Sequence, residues 1–451
     1  MSISRVFDIA GRSLSVYQRA LDVTSHNIVN ANNPDYARQK VIFGSERSET
    51  VRGGEIGAGV KIDDVTRIKN YMTETQIRSY NQKYSDTDKR SSVLGQVESL
   101  FSEPSDLGLS NMISSFFNSW DEMASSPNSI PLRNNVIQSA SKLSNKIQSV
   151  YDGLNQIQED IKGQVEEKVD EINTSLQEIQ TLNKQINESK VTNQSVNDLM
   201  DRRDKKIDEL SKIVNINVHT DDRGAVSISI GGIFAADEFS SSKFKTNLSN
   251  GKLSLTSEDG SATATLNGGE LNALTDMYSN QIPEYQNSIN TIAQNIMDSV
   301  NNIHKTGFDL NNNTGQDFFT SYSGGVLKFI SNPSAIAASA ANALGTGEKG
   351  NSDIAVAIAK LSDSKMIGGS SIGDYYNSMI SGIGALKSSN DQSAESNQLV
   401  LDQLTMQRNS DSGVSVDEEM TNVIKFQKSY EASAKLIKVS DDMLQTLLNM
   451  V

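Results

Sequence analysis

Apolar residues recur at alternating spacings of three and four along both ends of the chain. Near the N-terminus this series comprises Ile3, Phe7, Ala10, Leu14, Tyr17, Leu21, Thr24 and Ile28. Near the C-terminus it comprises Val416, Met420, Val423, Tyr430, Ala434, Ile437, Leu444, Leu448 and Val451. Such a period keeps one stripe of a helix facing a partner helix. The pattern predicts a helix at each end, and we expect the two stripes to meet each other or further copies of themselves.

The same helical period dominates the middle of the chain. Apolar residues keep spacings of three and four from Val150 to Ile186. A helix of that length extends about 55 Å at 1.5 Å per residue, so we expect a helical rod. Helical spacing returns over 271–303 and 371–407. Helix-breaking prolines interrupt the pattern at Pro104, Pro127 and Pro131.

Between about residues 217 and 269 the period of the pattern changes to two. Apolar residues alternate with small polar residues over 226–230. Asn250-Gly251 separates two further alternating runs, and this dipeptide favours the tight turn of a β-hairpin. Alternation over 263–266 indicates one more short strand. The segment is therefore predicted to be a small antiparallel β insert.

These patterns predict a mainly α chain with a β-rich insert, elongated and divided into several domains. Residues 1–65 together with 414–451 form a coiled-coil-like terminal helical assembly domain with an extended linker. Residues 66–216 together with 270–413 form a helix-rich rod domain that includes a mixed loop and strand region at 306–350. Residues 217–269 form the β-rich outer domain.

Charge and composition narrow the classes of partner. Lysine and arginine number 41 against 56 acidic residues, and the net charge of −15 argues against nucleic acid or an anionic membrane. The chain has no cysteine, which excludes disulfide scaffolds and thiolate chemistry. Residues 1–30 are amphipathic and carry no apolar signal core, so we expect any export to proceed without a cleaved signal peptide.

Candidate metal ligands are few in this sequence. Residues 309–320 superficially resemble a calcium loop, but Thr314 stands where the loop needs glycine and Thr320 where it needs glutamate. We expect a turn held by hydrogen bonds from side chains to the backbone. A histidine-ligated zinc site is also disfavoured, because the only histidines are the widely separated His26, His219 and His304.

No pattern in the chain favours catalysis. The glycines over 53–59 do not match a dinucleotide fingerprint and indicate an extended linker. Carboxylates at 417–419 fall in the first turn of the last predicted helix, where solvated partners of the helix dipole are the default. We therefore predict a protein that is not an enzyme and has no catalytic residue, cofactor or metal.

The start of the last helix carries a sharper local signal. Ser415 is followed three residues later by Glu418, just ahead of the apolar series and after Gly413. This spacing predicts a capping box, in which the serine oxygen accepts from the Glu418 amide and the glutamate reaches back to the serine amide.

Motifs near the N-terminus point to a family. They are Ser25-His26-Asn27-Ile28, Asn30-Ala31-Asn32, Pro34-Asp35-Tyr36-Ala37-Arg38-Gln39, Gly57-Ala58-Gly59-Val60 and Val65-Thr66-Arg67. Together they resemble the signature of the axial rod and hook proteins of the bacterial flagellum. The resemblance implies a family-motif turn that contains Asn32, Pro34, Tyr36, Arg38 and Gln39. Asp35 stands where relatives usually carry glycine, and we expect the turn to survive because aspartate tolerates a left-handed backbone.

Further motifs narrow the resemblance to the hook-associated protein 1 family, the first hook-filament junction proteins. They are the stretches 198–204, 302–319 and 408–436. The resemblance implies a structural adaptor that joins hook to filament by packing its terminal helices into the axial tube. It also implies a ring of copies, the hook protein, the second junction protein and a cytoplasmic export chaperone at the C-terminal helix as partners. The location implied is the extracellular flagellum, reached through the flagellar type III apparatus.

Two other classes of protein remain open from the sequence. A hook, rod or filament subunit would carry similar terminal helices but would form long homopolymers. A secreted coiled-coil adhesin or effector would leave motility intact when its last helix is deleted. On pattern alone the terminal stripes are also typical of an intramolecular core, whereas the family resemblance places them in the inner layer of a tube.

Overall fold

The protein is described from a computed structural model that covers residues 3–51, 54–101, 108–192, 194–221, 224–341 and 350–449. Most of these residues are helical, and the strands form small antiparallel sheets, as the sequence predicts. The helices are α1 (Ile3–Val29), α2 (Tyr71–Phe101), α3 (Leu109–Ser125), α4 (Ile130–Val191), α5 (Asn197–Ile213), α6 (Glu270–Asp276), α7 (Ile282–His304), α8 (Asp353–Ala359), α9 (Ile372–Ser412) and α10 (Val416–Leu448). A π-helical turn, Met277–Gln281, joins α6 to α7.

The strands are β1 (Gln39–Ser45), β2 (Glu49–Val51), β3 (Gly54–Ile56), β4 (Val60–Arg67), β5 (Ile216–Thr220), β6 (Val226–Ile230), β7 (Ile233–Ala236), β8 (Phe244–Ser249), β9 (Lys252–Ser257), β10 (Phe319–Ser323) and β11 (Val326–Phe329). All described pairs are antiparallel. Among the described strands, β5, β6 and β7 form a three-stranded sheet in that order, and the others form two-stranded sheets.

Contacts between residues divide the chain into two compact units. Unit 1 contains Met1–Gln82, Ile172–Lys243 and Asn397–Val451, and unit 2 contains Lys83–Glu171 and Phe244–Ser396. The three-part domain division predicted from the sequence stays a prediction.

The long helical run of the sequence is a single helix, α4, which starts earlier than its clearest apolar series. Pro131 is its second residue, a position where the missing amide of proline costs no intrahelical hydrogen bond. Gly153 allows close packing within unit 2, since a Cβ there would lie 2.3 Å from Leu100 Cδ1. The break predicted at Pro104 lies outside the described residues.

The Asn-Gly hairpin forms as predicted between β8 and β9. Asn250 and Gly251 have φ values of 52° and 75°, the left-handed pair that a type I′ turn needs. The further strand predicted over 263–266 was wrong: Thr263 makes only an isolated bridge to Thr256. Pairing stops there because the chain soon passes through Gly268 and Gly269 into α6.

The segment predicted as a linker with a short strand contains more pairing than expected. β4 pairs with β1 along seven residue pairs, with an irregularity between Ile42 and Phe43. β1 escaped prediction because its apolar residues do not alternate cleanly with polar ones. β2 and β3 form a second hairpin within the glycine-rich stretch.

The segment at Asp309 forms the predicted turn. Asp309 Oδ1 accepts from the amides of Asn311 and Asn313, both at 2.8 Å. Asn312 between them adopts a left-handed φ of 67°. The carboxylate therefore stabilises a loop by hydrogen bonds to the backbone, as the sequence predicts.

Candidate functional site

The two terminal helices pack against each other in unit 1. α10 packs chiefly on α1, and α1 also contacts β1 and β4. A small apolar cluster joins them, formed by buried Ala20, Val23 and Val41 with partly buried Ile62, Val65 and Phe426. Tyr17, Phe43 and Phe426 add an aromatic group with ring centroids 5.8 to 6.5 Å apart.

The predicted stripe of α1 is only partly buried by this packing. Ala10 and Thr24 are buried, and the remaining described side chains of the stripe are half-buried: Phe7, Leu14, Tyr17, Leu21 and Ile28. The side chain of Ile3 lies outside the description. Val16, Ala20 and Val23 are buried although they are not in the stripe. The helix buries two sides because it packs on both α10 and the β1-β4 sheet, which one heptad seam does not reveal.

The predicted stripe of α10 is largely open in the single chain. Val423 and Ile437 are half-buried, and Val451 lies outside the described residues. The others are exposed: Val416, Met420, Tyr430, Ala434, Leu444 and Leu448. Exposure is 49% for Met420 and 74% for Leu448, and neighbouring Ile424, Leu436, Val439 and Met443 are exposed as well. Such a run of exposed apolar side chains marks an interaction surface.

Among the described side chains of α10, the buried ones are small or polar instead. Glu419, Ser433 and Ser440 are each at most 5% exposed. The two serine hydroxyls donate to the carbonyls of Ser429 and Leu436, at 2.9 and 2.8 Å. Each hydroxyl is thus satisfied within its own helix, so the serines provide a narrow surface that lets α1 approach closely.

Asn27 of α1 is the centre of a hydrogen-bond network at the family-motif turn. Its Nδ2 donates to the carbonyl of Gln39 at 2.8 Å and to Glu419 Oε2 at 3.1 Å. Its Oδ1 accepts from Tyr36 Oη at 2.7 Å and from the Gln39 amide at 3.0 Å. The amide of this buried side chain therefore binds α1, the turn and α10 together.

Arg38 and Glu419 form the main ionic contact between the turn and α10. Arg38 Nε lies 2.8 Å and Nη2 2.6 Å from Glu419 Oε1. The Glu419 side chain is 3% exposed, so the expectation of a solvated carboxylate there was wrong. Its partner is 381 residues away in the sequence, which no helix-dipole argument can anticipate.

The helix cap at the start of α10 forms only in part. α9 ends at Ser412 and α10 begins at Val416, as the break at Gly413 predicts. Ser415 Oγ accepts from the Glu418 amide at 3.5 Å, the long limit of a hydrogen bond. The Glu418 carboxylate instead accepts from Arg38 Nη1 at 2.7 Å. The ionic partner displaces the reciprocal bond of a capping box because a charged donor is the stronger one.

Helix α5 holds the other side of the turn. Gln39 Nε2 donates to Asp198 Oδ1 at 3.2 Å, and Asn197 Nδ2 donates to Gln39 Oε1 at 3.1 Å. The amide of Ala37 donates to Asp201 Oδ2 at 3.3 Å. The sequence stretch 198–204 therefore supplies part of the site, although only its similarity to a family singled it out.

Buried charges beneath the turn neutralise one another. Arg67 at the end of β4 donates to Asp201 at 2.6 Å and to Asp204 at 3.0 Å, and Lys69 donates to Asp204 at 2.7 Å. Burial alone raises the pKa of Asp204, but Lys69, Arg67 and Arg203 outweigh it and hold that pKa well below its usual range. Burial, together with nearby Asp198, raises the pKa of Tyr36, which stays a neutral donor.

Asn32, Pro34 and Asp35 form the exposed tip of the turn. The Tyr36 amide donates to the carbonyl of Asn33 at 3.2 Å. Asp35 is not among the described residues with a left-handed backbone, so the turn survives for a reason other than the expected one. Its carboxylate accepts from Lys205 of α5 at 2.7 Å.

The described residues contain neither a metal-binding cluster nor a membrane-spanning helix. No group of three histidine, aspartate or glutamate side chains within the described ranges is arranged to hold a metal ion. No helix in the part of the chain that the structure describes is both long and apolar enough to cross a membrane.

Comparison with known families places most of the chain. Residues 94–319 match the model of the flagellar hook-associated protein FlgK helical domain, and residues 407–450 match that of the flagellar basal body rod FlgEFG protein C-terminal region. The second match covers α10 and is named for rod proteins, so the first match is the one that separates the junction family from them.

Individual relatives agree with these matches. The chain is similar to flagellar hook-associated protein 1 of Bacillus subtilis, with 26% identity over 98% of this chain and 97% of the relative. It is 23% identical to the protein of the same name from Escherichia coli, over 99% of this chain and the whole relative. Its fold resembles the flagellar hook junction protein FlgK from Burkholderia pseudomallei, with a TM-score of 0.66, 14% identity and coverage of 75% of this chain and all of that structure.

Proposed function

The chain belongs to the flagellar hook-associated protein FlgK family, and on that premise we propose that it joins hook to filament by packing its terminal helices into the axial tube. The role is structural and its place is the bacterial flagellum. Copies of this chain, the hook protein and the second junction protein are the proposed neighbours in the tube.

The open apolar stripe of α10 is the observation that carries this proposal. One side of α10 rests on α1 through Phe426 and through small and polar residues, while Met420, Leu444 and Leu448 are exposed. Each such side chain contributes about 1.5–3 kcal/mol when it becomes fully buried. Packing beside neighbouring helices would bury the stripe, whereas an isolated subunit leaves it exposed to water.

The exposed stripe of α10 is also an argument that a chaperone binds the chain before export. An exposed apolar helix face favours aggregation until a partner covers it. We infer that a cytoplasmic chaperone covers α10 before assembly.

Deletion of residues 415–451 tests the proposed junction role. The strain should keep its hooks, lose its filaments and release filament protein into the medium, which electron microscopy and analysis of the medium will show. Filaments of normal length on the deletion strain would contradict the proposal. Long homopolymers formed by the purified full chain would instead assign it to the hook, rod or filament subunits.

Substitutions within the stripe test the surface itself. The double change Met420→Gln and Leu444→Gln should abolish motility because it places polar amides in the proposed interface, while the helix content of the purified chain stays unchanged. Lys425→Gln with Lys428→Gln, at exposed positions outside the stripe, is the matched control and should swim normally. Equal motility of the two strains would show that the stripe is not the interface.

A further inference from the structure

We propose that residues 30–39, the joint segment, form a rigid joint that fixes the direction of the α1/α10 pair relative to the rest of unit 1. Arg38 and Glu419 are its positioning residues. This inference concerns the geometry of the single chain, and its consequence for assembly rests on the proposed function.

Three helices of unit 1 meet at the joint segment. Glu419 of α10 binds Arg38, and Asn27 of α1 binds the backbone of Gln39 on both its donor and acceptor sides. Asp201 of α5 binds the backbone amide of Ala37.

Backbone contacts hold the joint segment from two further sides. The amide of Arg38 donates to the carbonyl of Ser412 at the end of α9, at 3.0 Å. The carbonyl of Arg38 accepts from the amide of Ile68, which follows β4, at 2.8 Å. Arg38 is therefore bound through its side chain, its amide and its carbonyl to three separate parts of unit 1.

The chemistry of the joint segment favours rigidity over bending. It contains no glycine, and Pro34 restricts its own φ angle. Asn27, Ala37 and Glu419 are each at most 3% exposed. Buried charged and polar groups bind in one geometry because any displacement leaves them without partners, so they specify an arrangement more strongly than apolar contacts of equal size do.

A fixed direction matters for a subunit that packs into a tube. The exposed stripe of α10 can meet neighbouring helices only when the α1/α10 pair points along the tube. The direction is set at the joint segment because the apolar cluster between α1, β1 and β4 is small and contributes few directional contacts.

Distance measurements between spin labels on the purified full chain test this inference. The chain has no cysteine, so Asp442→Cys in α10 and Lys184→Cys in α4 place two unique labels on exposed sites of unit 1. Double electron–electron resonance should give a narrow distance distribution in the labelled parent. Arg38→Met and Glu419→Gln should each at least double its width, and Arg38→Lys, which keeps the charge but not the fork of donors, should give an intermediate width.

Control variants separate positioning from general stability. Lys205→Met removes the exposed ion pair to Asp35 at the tip and should leave the distribution unchanged. Helix content by circular dichroism should stay at the parent value in all variants. The double variant Arg38→Met with Glu419→Gln should be no broader than either single variant, because the two residues act through one contact.

Several results would contradict the proposal of a rigid joint. They are a broad distribution in the parent, an unchanged width in Arg38→Met, or equal broadening in Lys205→Met. If Glu419→Gln loses helix content, the exposed Glu418→Gln, which removes only one bond to Arg38, should still broaden the distribution measurably. Loss of filaments on deletion of 415–451 together with a narrow distribution in Arg38→Met would keep the junction role and refute the joint.

Discussion

Unit 2 and the terminal helix pair of unit 1 differ in the kind of side chain that they bury. In unit 2, Phe116, Trp120 and Phe318 are fully buried, and Phe318 meets Phe319 edge to face with centroids 4.8 Å apart. In the α1/α10 pair the buried positions among the described side chains of α10 are Glu419, Ser433 and Ser440. Phe426 is partly buried against the apolar cluster, but most of the large apolar side chains of α10 are exposed.

This difference in buried side chains indicates which interactions stabilise each region. Large aromatic rings that contact one another at the centre of unit 2 stabilise a core that needs no partner. Small and polar residues between α1 and α10 let two helices approach without hiding the apolar surface of α10. We infer that unit 2 is stable without neighbouring molecules. The apolar surface of the α1/α10 pair, by contrast, becomes buried only when neighbouring molecules pack against it.

The largest effect should come from removing an aromatic ring in unit 2. Phe318→Ala should lower the free energy of unfolding by about 3–5 kcal/mol, since it leaves a cavity among packed rings. Urea unfolding followed by the fluorescence of Trp120, the single tryptophan of the chain, reports on this cluster directly. Met443→Ala, at a residue 55% exposed, should change the value by less than about 0.5 kcal/mol. Similar losses for the two variants would remove the contrast between the regions.

A smaller effect should follow from enlarging a buried serine in α10. Ser433→Leu forces α1 and α10 apart and should cost about 1–3 kcal/mol of local stability. Hydrogen exchange of the amides in α1 and α10, read by mass spectrometry, is the measurement. The adjacent Ala434→Leu, on the exposed side, is the control and should leave the exchange of both helices unaltered. If Ala434→Leu alone accelerated the exchange, the side of α10 that carries Ala434 would be the side that packs on α1.

The smallest effect should be a pH dependence that belongs to unit 2. His304 Nε2 accepts from the Ala337 amide at 2.8 Å, and Nδ1 donates to the carbonyl of Gln316 at 2.7 Å, so the ring is neutral. Burial lowers the pKa of His304 below that of an unfolded histidine. The unfolded chain then binds more protons in mildly acidic solution, and stability should fall as the pH decreases below about 6.5.

Replacement of the ring checks this assignment. His304→Gln should flatten the pH dependence of the Trp120 unfolding transition between pH 7 and pH 5, because glutamine takes up no proton there. An unchanged pH profile in His304→Gln would assign the dependence to carboxylates. The protection of α1 and α10 should not follow the histidine titration, since His304 lies in unit 2.

Much of the fold was predictable because it depends on local interactions. The helix over 150–186, the hairpin at Asn250-Gly251 and the start of α10 after Gly413 all follow from spacing and backbone preference, whereas the first 20 residues of α4 were not predicted as part of that helix. β1 and the isolated bridge at Thr263 were not predicted, because strand pairing depends on a partner elsewhere in the chain. The stripe of α10 as an assembly interface and the family-motif turn stay predictions. Asn27, Glu419 and Phe426, which the structure places in the packing of the terminal helices and the turn, were not among the predicted site residues.

The sequence by itself determined which segments are helical, where they stop and which apolar residues share a stripe, because these depend on neighbours within a few positions. The tertiary structure decided which side of α10 stays open and which carboxylate binds Arg38. Both choices depend on residues some 380 positions apart, Arg38 and Glu418 among them. Only the folded chain brings such residues within hydrogen-bond distance, so no local pattern can select between them.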